Sequence, residues 1–186
     1  MARLTTPICE FGTKAEDFDL LDCDGQKRFK LAECVGQNGL LVMFICNHCP
    51  YVQAILPELV QTIHNLYHSF KINTVAIMSN NWEEYPDDSP ANMLELKNQY
   101  NFKFPYLIDN TQEIARKYGA VCTPDFFGYN NKLELQYRGR FDARGRECNN
   151  QNNQSDLEQA MVLIANTGYG PKDQKSSIGC SIKWKE

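Results

Sequence analysis

Cys46 and Cys49, separated by two residues, are the part of this sequence best equipped for chemistry. Such a pair can close a small disulfide ring, so that one sulfur attacks a substrate and the other releases the product. The thiolate is the reactive form. A helix N-terminus favours it through unsatisfied backbone N–H groups and the positive end of the helix dipole. The surroundings predict such a terminus. Leu40-Leu41-Val42-Met43-Phe44-Ile45 reads as an apolar strand running into Cys46, and a helical stripe opens just after Cys49. Val52, Ile55, Leu56, Leu59, Val60, Ile63, Tyr67 and Phe70 form that stripe. On this reading the first thiol, Cys46, takes the helix-dipole stabilisation. The competing use of a Cys-x-x-Cys is half of a structural zinc site, which needs a second closely spaced ligand pair. The chain has no second Cys-x-x-Cys and no Cys-x-x-His, so no metal or cofactor is implied.

His48 stands immediately before the second cysteine. A cation or donor there stabilises the reduced thiolate and makes the disulfide a better oxidant. Cys122 reads as a small buried hydrophobe more readily than as a third thiol near the pair. Cys180 lies in an aperiodic tail beside Lys183 and Lys185, which would lower its pKa. It reads equally as a resolving thiol or as part of a tail anchored in a groove by Ile182 and Trp184. Arg138 and Arg140 would assist peroxide chemistry if they reached a thiolate, although surface arginines are commoner. His64 and His68 have metal-ligand spacing on one helix face, but a solvated face is the better reading.

Composition limits the function classes. With 186 residues, 42% hydrophobic and 23% charged, the chain suits one globular domain over residues 1–186 with a sizeable core. A net charge of -4 offers no basic field to neutralise phosphates, so a nucleic-acid partner is not expected. The N-terminus lacks the apolar run of a signal peptide, and no stretch is long enough to cross a bilayer. The expected address is therefore cytoplasmic, without a membrane role. The eight cysteines (Cys9, Cys23, Cys34, Cys46, Cys49, Cys122, Cys148 and Cys180) are then read as mostly reduced thiols, because a chain this long needs no disulfide staples.

The elements that position the pair follow in order. Asp17 to Leu21 alternates like a half-buried strand, Asp24-Gly25 is a hairpin turn, and Lys27 to Leu31 is the return strand. Pro50 fits the first helical turn, whereas Pro57 should kink the helix. Ile72 to Met78 is a second apolar strand, Trp82 to Ser89 a loop, and Pro90 to Tyr100 a helix burying Met93, Leu94 and Leu96. Thr111 caps a helix through Ile114, Ala115 and Tyr118 that Gly119 ends. Asp125 to Tyr129 and Leu133 to Arg138 form an antiparallel hairpin about Asn130-Asn131. The polar loop 149–154 leads into a last helix, Ser155 to Asn166, and the tail from Gly168 to Glu186 is expected to pack on or near the domain. Alternating strands and helices predict an α/β domain with a mixed sheet covered on both faces.

Two stretches together resemble thioredoxin: Cys46-Asn47-His48-Cys49 after a strand, and Tyr118-Gly119-Ala120-Val121-Cys122-Thr123-Pro124 before a hairpin. The N-terminal hairpin is similar to the redoxin (AhpC/TSA) branch. Cys46 to Val52, Thr123 to Phe127 and Ile178 to Lys185 resemble bacterial peroxiredoxin-like thioredoxin proteins over nearly the whole chain. Ala15-Glu16-Asp17-Phe18 departs from that branch by lacking its usual proline. The resemblance implies a thioredoxin fold with an added hairpin and a cis bond at Thr123-Pro124 opposite the dithiol. It also implies attack by Cys46 and resolution by Cys49.

Three functions compete. The first is a thiol–disulfide oxidoreductase acting on protein or small-molecule disulfides, with a thioredoxin or glutathione system as reductant. The second is a thiol peroxidase. Aligning the redoxin Thr-x-x-Cys puts Cys49 at the peroxidatic position and Cys46 at the threonine, a loss that weakens this reading. The third, a binding module, fits least with an intact dithiol.

Overall fold

The computed structural model describes residues 3–143 and 154–186. Cys148 and all of the predicted polar loop except Gln154 lie outside them. The long apolar run forms β4 (Gly39–Phe44), whose six residues are all buried. It is an interior strand of a seven-stranded mixed sheet. β4 pairs in parallel with β5 (Ile72–Met78), and β5 in parallel with β6 (Tyr106–Ile108). β8 (Asp125–Tyr129) runs antiparallel along the other side of β4 and carries β9 (Leu135–Gly139) at the edge. At the opposite edge the predicted N-terminal hairpin, β2 (Asp19–Asp22) and β3 (Arg28–Lys30), joins through β2 to β6. A buried interior strand with covers on both faces explains why β4 shows an unbroken apolar run.

The alternation of β4 sorts the core into two layers. Leu41 and Met43 point to the side of α2 (Pro50–Phe70) and α5 (Asp156–Thr167), where they pack with Ile55, Leu59, Met161 and Ile164. Leu40, Val42 and Phe44 point to the side of α1 (Leu31–Cys34) and α4 (Glu113–Tyr118), among Leu31, Ile114, Ala115 and Tyr118. This is the helix-flanked mixed sheet that the resemblance implies. No helix among the described residues is long and apolar enough to cross a membrane.

Several local expectations change. Helix α2 has Pro50 at its first position, as expected, and runs to Phe70 with Pro57 inside it. Its stripe leaves Tyr67 exposed, while Leu66 takes a buried place. The 82–89 stretch contains a single 3-10 turn, Pro86–Asp88, before α3 (Pro90–Gln99). The N-cap of α4 is Gln112, not Thr111. Its free N–H groups are met from a distance in sequence: the Asp109 carboxylate accepts from Ala115 at 2.9 Å and from Ile114 at 3.4 Å. Leu133 adopts a left-handed φ of 57° within the hairpin loop, so the return strand starts at Leu135. The tail contains a strand, β10 (Ile178–Ser181). It forms a small second sheet between β1 (Arg3–Thr5) and β7 (Cys122–Thr123).

Candidate functional site

The dithiol occupies the bend between β4 and α2. Cys46 follows the end of the strand, and Cys49 is the N-cap residue of α2. Both thiols are buried, at 1% and 0% exposed, and neither is in a disulfide. Opposite them lies the Thr123-Pro124 peptide, which is cis. Thr123 contacts both sulfurs: its Oγ1 is 3.3 Å from Cys46 Sγ, and its carbonyl accepts from the Cys49 thiol at 3.0 Å.

Hydrogen bonding favours the thiol form of Cys46 and the thiolate of Cys49. The hydrogen bond that Cys46 gives to Cys49, burial and the nearby Asp88 carboxylate push the Cys46 pKa up. Cys49 is held down at about 5, first by accepting from Cys46, against burial, and further by the Thr123 side chain and the N–H groups of Cys180 and Val52. The Val52 N–H acts from beyond a formal capping bond. The Thr123 carbonyl opposes ionisation, since it is an acceptor for the protonated thiol, but these donors outnumber it. The sequence reading placed the stabilised thiolate on Cys46. In the structure the hydrogen bonds that favour a thiolate converge on Cys49, the one from Cys46 first.

His48 does not bond to either sulfur. Its Nδ1 lies 2.6 Å from Asp88 Oδ2, and its ring stacks on Tyr85 with centroids 5.8 Å apart. The hydrogen bond to Asp88 raises the His48 pKa, outweighing burial. Asp88 is fully buried, which alone would raise its pKa, yet hydrogen bonds from His48 and Asn80 keep it below the ordinary carboxylate range. Its Oδ1 accepts the backbone N–H of Asn47 at 2.8 Å and that of His48 at 3.3 Å, and its Oδ2 accepts from Asn80 Nδ2 at 2.8 Å. Asn47 is tied down further by Tyr106, Gln53 and the Asp87 carbonyl. Asp88 therefore holds the whole active-site turn.

Asp88 is the residue that sequence reasoning missed. The two aspartates in the 82–89 loop were visible, but nothing in the loop says which one turns inward across a separation of 40 residues. Cys46 Sγ, a His48 ring nitrogen and an Asp88 oxygen lie within 4.8 Å of one another, a mixed donor set. Two of these donors are already spent on each other.

The remaining candidates separate. Cys122 is buried, and burial pushes its thiol pKa upward; its Sγ lies 3.9 Å from the Pro124 carbonyl. Cys180 lies in β10 opposite Thr123, with its N–H facing Cys49 Sγ. Arg138 bonds buried Asp125 at 2.9 Å and the Gly119 carbonyl at 2.7 Å. Arg140 pairs with Asp156 at 2.6 Å on the rim of a cleft of about 110 Å³ beside Pro124 and Ile178. His64 and His68 lie with ring centroids 4.2 Å apart, tilted by 45°, in a larger cavity of about 590 Å³ that neither dithiol cysteine lines. Reactive groups, not volume, mark the functional site here.

Comparison with known proteins bears on the fold and the family. The chain is 37% identical to a conserved protein from Geobacillus kaustophilus, with a TM-score of 0.90 over 100% of this chain and 97% of that one. It is 29% identical over 118 residues to the thiol-disulfide oxidoreductase ResA of Bacillus thuringiensis, covering 63% of this chain and 62% of ResA. A secreted disulfide oxidoreductase of Mycobacterium tuberculosis shares the fold, with a TM-score of 0.57 and 17% identity over 80% of this chain and 94% of that one. Residues 11–141 match the AhpC/TSA family, a span that holds the dithiol, Asp88 and the cis-proline. With that match over most of its length, the chain belongs to the thioredoxin-like AhpC/TSA family.

Proposed function

We propose that this protein is a thiol–disulfide oxidoreductase whose Cys46 and Cys49 cycle between dithiol and disulfide. The observation that carries the reading is the buried Cys46–Cys49 pair at the N-terminus of α2, with Thr123 of the cis Thr123-Pro124 edge against both sulfurs. The Cys49 thiolate attacks one sulfur of a substrate disulfide, expels the other as a thiolate and forms a mixed disulfide. Cys46 then loses its proton and attacks Cys49 Sγ. The substrate's second thiolate leaves, and the Cys46–Cys49 disulfide remains. The His48–Asp88 pair lies within 4.8 Å of Cys46 Sγ, placed to accept that proton. A reducing partner, of the thioredoxin or glutathione type, restores the dithiol. Kinetics of exchange with a model disulfide test the order. Cys46→Ser accumulates the mixed disulfide on Cys49, whereas Cys49→Ser lowers the rate at least tenfold. Mixed disulfide trapped on Cys46 in Cys49→Ser instead restores the order read from the sequence, and undiminished turnover in both variants refutes the dithiol cycle.

The depressed pKa of Cys49 favours one second reading. A buried thiolate at the redoxin peroxidatic position is suited to a small oxidant such as hydrogen peroxide, which would convert it to a sulfenic acid that Cys46 resolves. Rapid peroxide oxidation that survives Cys46→Ser but not Cys49→Ser selects this reading.

A further inference from the structure

The C-terminal strand lies on the dithiol's own Thr123-Pro124 edge. β10 pairs antiparallel with β7, setting Cys180 opposite Thr123 and Ser181 opposite Cys122. The pairing is extended on both sides: Ser177 Oγ donates to the Pro124 carbonyl at 2.8 Å, and Ile182 N–H to the Val121 carbonyl at 3.1 Å. β1 covers the outer edge of β10, with Arg3 opposite Cys180. The approach is close enough to dictate a residue type, because a Cβ at Gly179 would collide with the Thr123 carbonyl oxygen and crowd the Pro124 nitrogen. Just beyond, Lys183 N–H donates to Asn80 Oδ1 at 2.8 Å, joining the tail to the amide that also bonds Asp88.

This seat brings a third cysteine to the reactive pair. Cys180 is 3% exposed and belongs to the same apolar cluster as Cys46 and Cys49. Its backbone N–H faces Cys49 Sγ, while the Thr123 carbonyl opposite it is 3.0 Å from the same sulfur. We propose that Cys180 is a third redox residue, which exchanges with the Cys46–Cys49 disulfide to form a Cys49–Cys180 disulfide. The proposal rests on the dithiol reading above. In the exchange, deprotonated Cys180 attacks Cys49 Sγ, the Cys46–Cys49 bond breaks, and Cys46 leaves with the electron pair and takes up a proton. One disulfide and one thiol are present before and after, so no external oxidant or reductant is needed. The disulfide then joins Cys49 to strand β10, and Cys46 returns to the thiol form.

The test is disulfide mapping by mass spectrometry. Fully reduced full-length protein, alone and as Cys46→Ser and Cys180→Ser, is treated with one equivalent of diamide, acid-quenched, alkylated and digested. Wild type is expected to contain both Cys46–Cys49 and Cys49–Cys180 linkages, in a ratio independent of protein concentration. Cys46→Ser is expected to give Cys49–Cys180 as its main intramolecular linkage. If Cys46–Cys49 forms in wild type and in Cys180→Ser, yet Cys180 enters no linkage with Cys49 in any protein, the proposal is overturned and the dithiol cycle stands. Absence of Cys46–Cys49 from both wild type and Cys180→Ser overturns the dithiol cycle itself, and the exchange with it.

Discussion

Opposite pKa shifts distinguish Cys46 from Cys49, and the residue that holds the turn between them is Asp88. The carboxylate holds the turn through the Asn47 and His48 N–H groups and holds the imidazole through Nδ1. Asp88→Asn keeps the shape and removes the charge. We expect it to lower the His48 pKa, read by NMR titration of the ring, and to cost about 1–3 kcal/mol of stability as a buried charged partner is lost. The pH dependence has a definite sign. Asp88 ionises more readily in the folded chain, so its contribution is present above the ordinary carboxylate pKa and is lost as pH falls through the folded value. His48 has a raised pKa, so its contribution is full below the ordinary imidazole pKa and fades as pH rises through the folded value. The pair thus stabilises the fold across the window between them. An unchanged His48 titration in Asp88→Asn would show that the imidazole does not depend on this carboxylate.

At the scale of elements, local sequence is informative where an element is closed by its own residues. Pro50 at the first position of α2 and Gly119 in the left-handed region at the end of α4 lie where local chemistry puts them. Local reasoning fails at the start of α4, where Thr111 has the right residue type but Asp109 does the work. Thr111 Oγ1 accepts only from Glu113 at 3.5 Å. The buried Asp109 carboxylate serves two helix N–H groups and also accepts from Ser79 Oγ at 2.9 Å. Asp109→Ala is therefore expected to cost about 1–3 kcal/mol in denaturant unfolding, and Thr111→Ala less than about 0.5 kcal/mol. The reverse ranking would return the cap to Thr111.

For the whole molecule, the protonation state of the pair couples to stability. A Cys49 thiol with a folded pKa of about 5, against an ordinary 9.0, contributes stability that is full above the ordinary value and lost as pH falls toward 5. Cys46 is shifted the opposite way, so its effect appears as a loss only above its ordinary value. Between pH 5 and 8 the Cys49 effect dominates. The Tm of the reduced wild-type protein minus that of reduced Cys49→Ser should therefore grow across this range. A flat difference would mean that Cys49 is not the anion.

The amino-acid sequence alone determined the parts of this protein that repeat or terminate locally. The buried run of β4 set an interior strand, the apolar stripe placed most of the buried face of α2, and the spacing of Cys46 and Cys49 marked the candidate pair at the strand–helix junction. These are properties of neighbours along the chain, fixed by strand and helix geometry. Tertiary structure decided what lies across from the pair. Asp88 comes from a loop 40 residues away, and β10 comes from a tail without periodicity, paired to the Thr123 edge only once the sheet exists. The lowering of the Cys49 pKa likewise comes from Cys46 first and, against burial, from the Thr123 side chain and the N–H groups of Cys180 and Val52. Charge is stabilised by whichever groups surround it in space, and sequence distance does not reveal them.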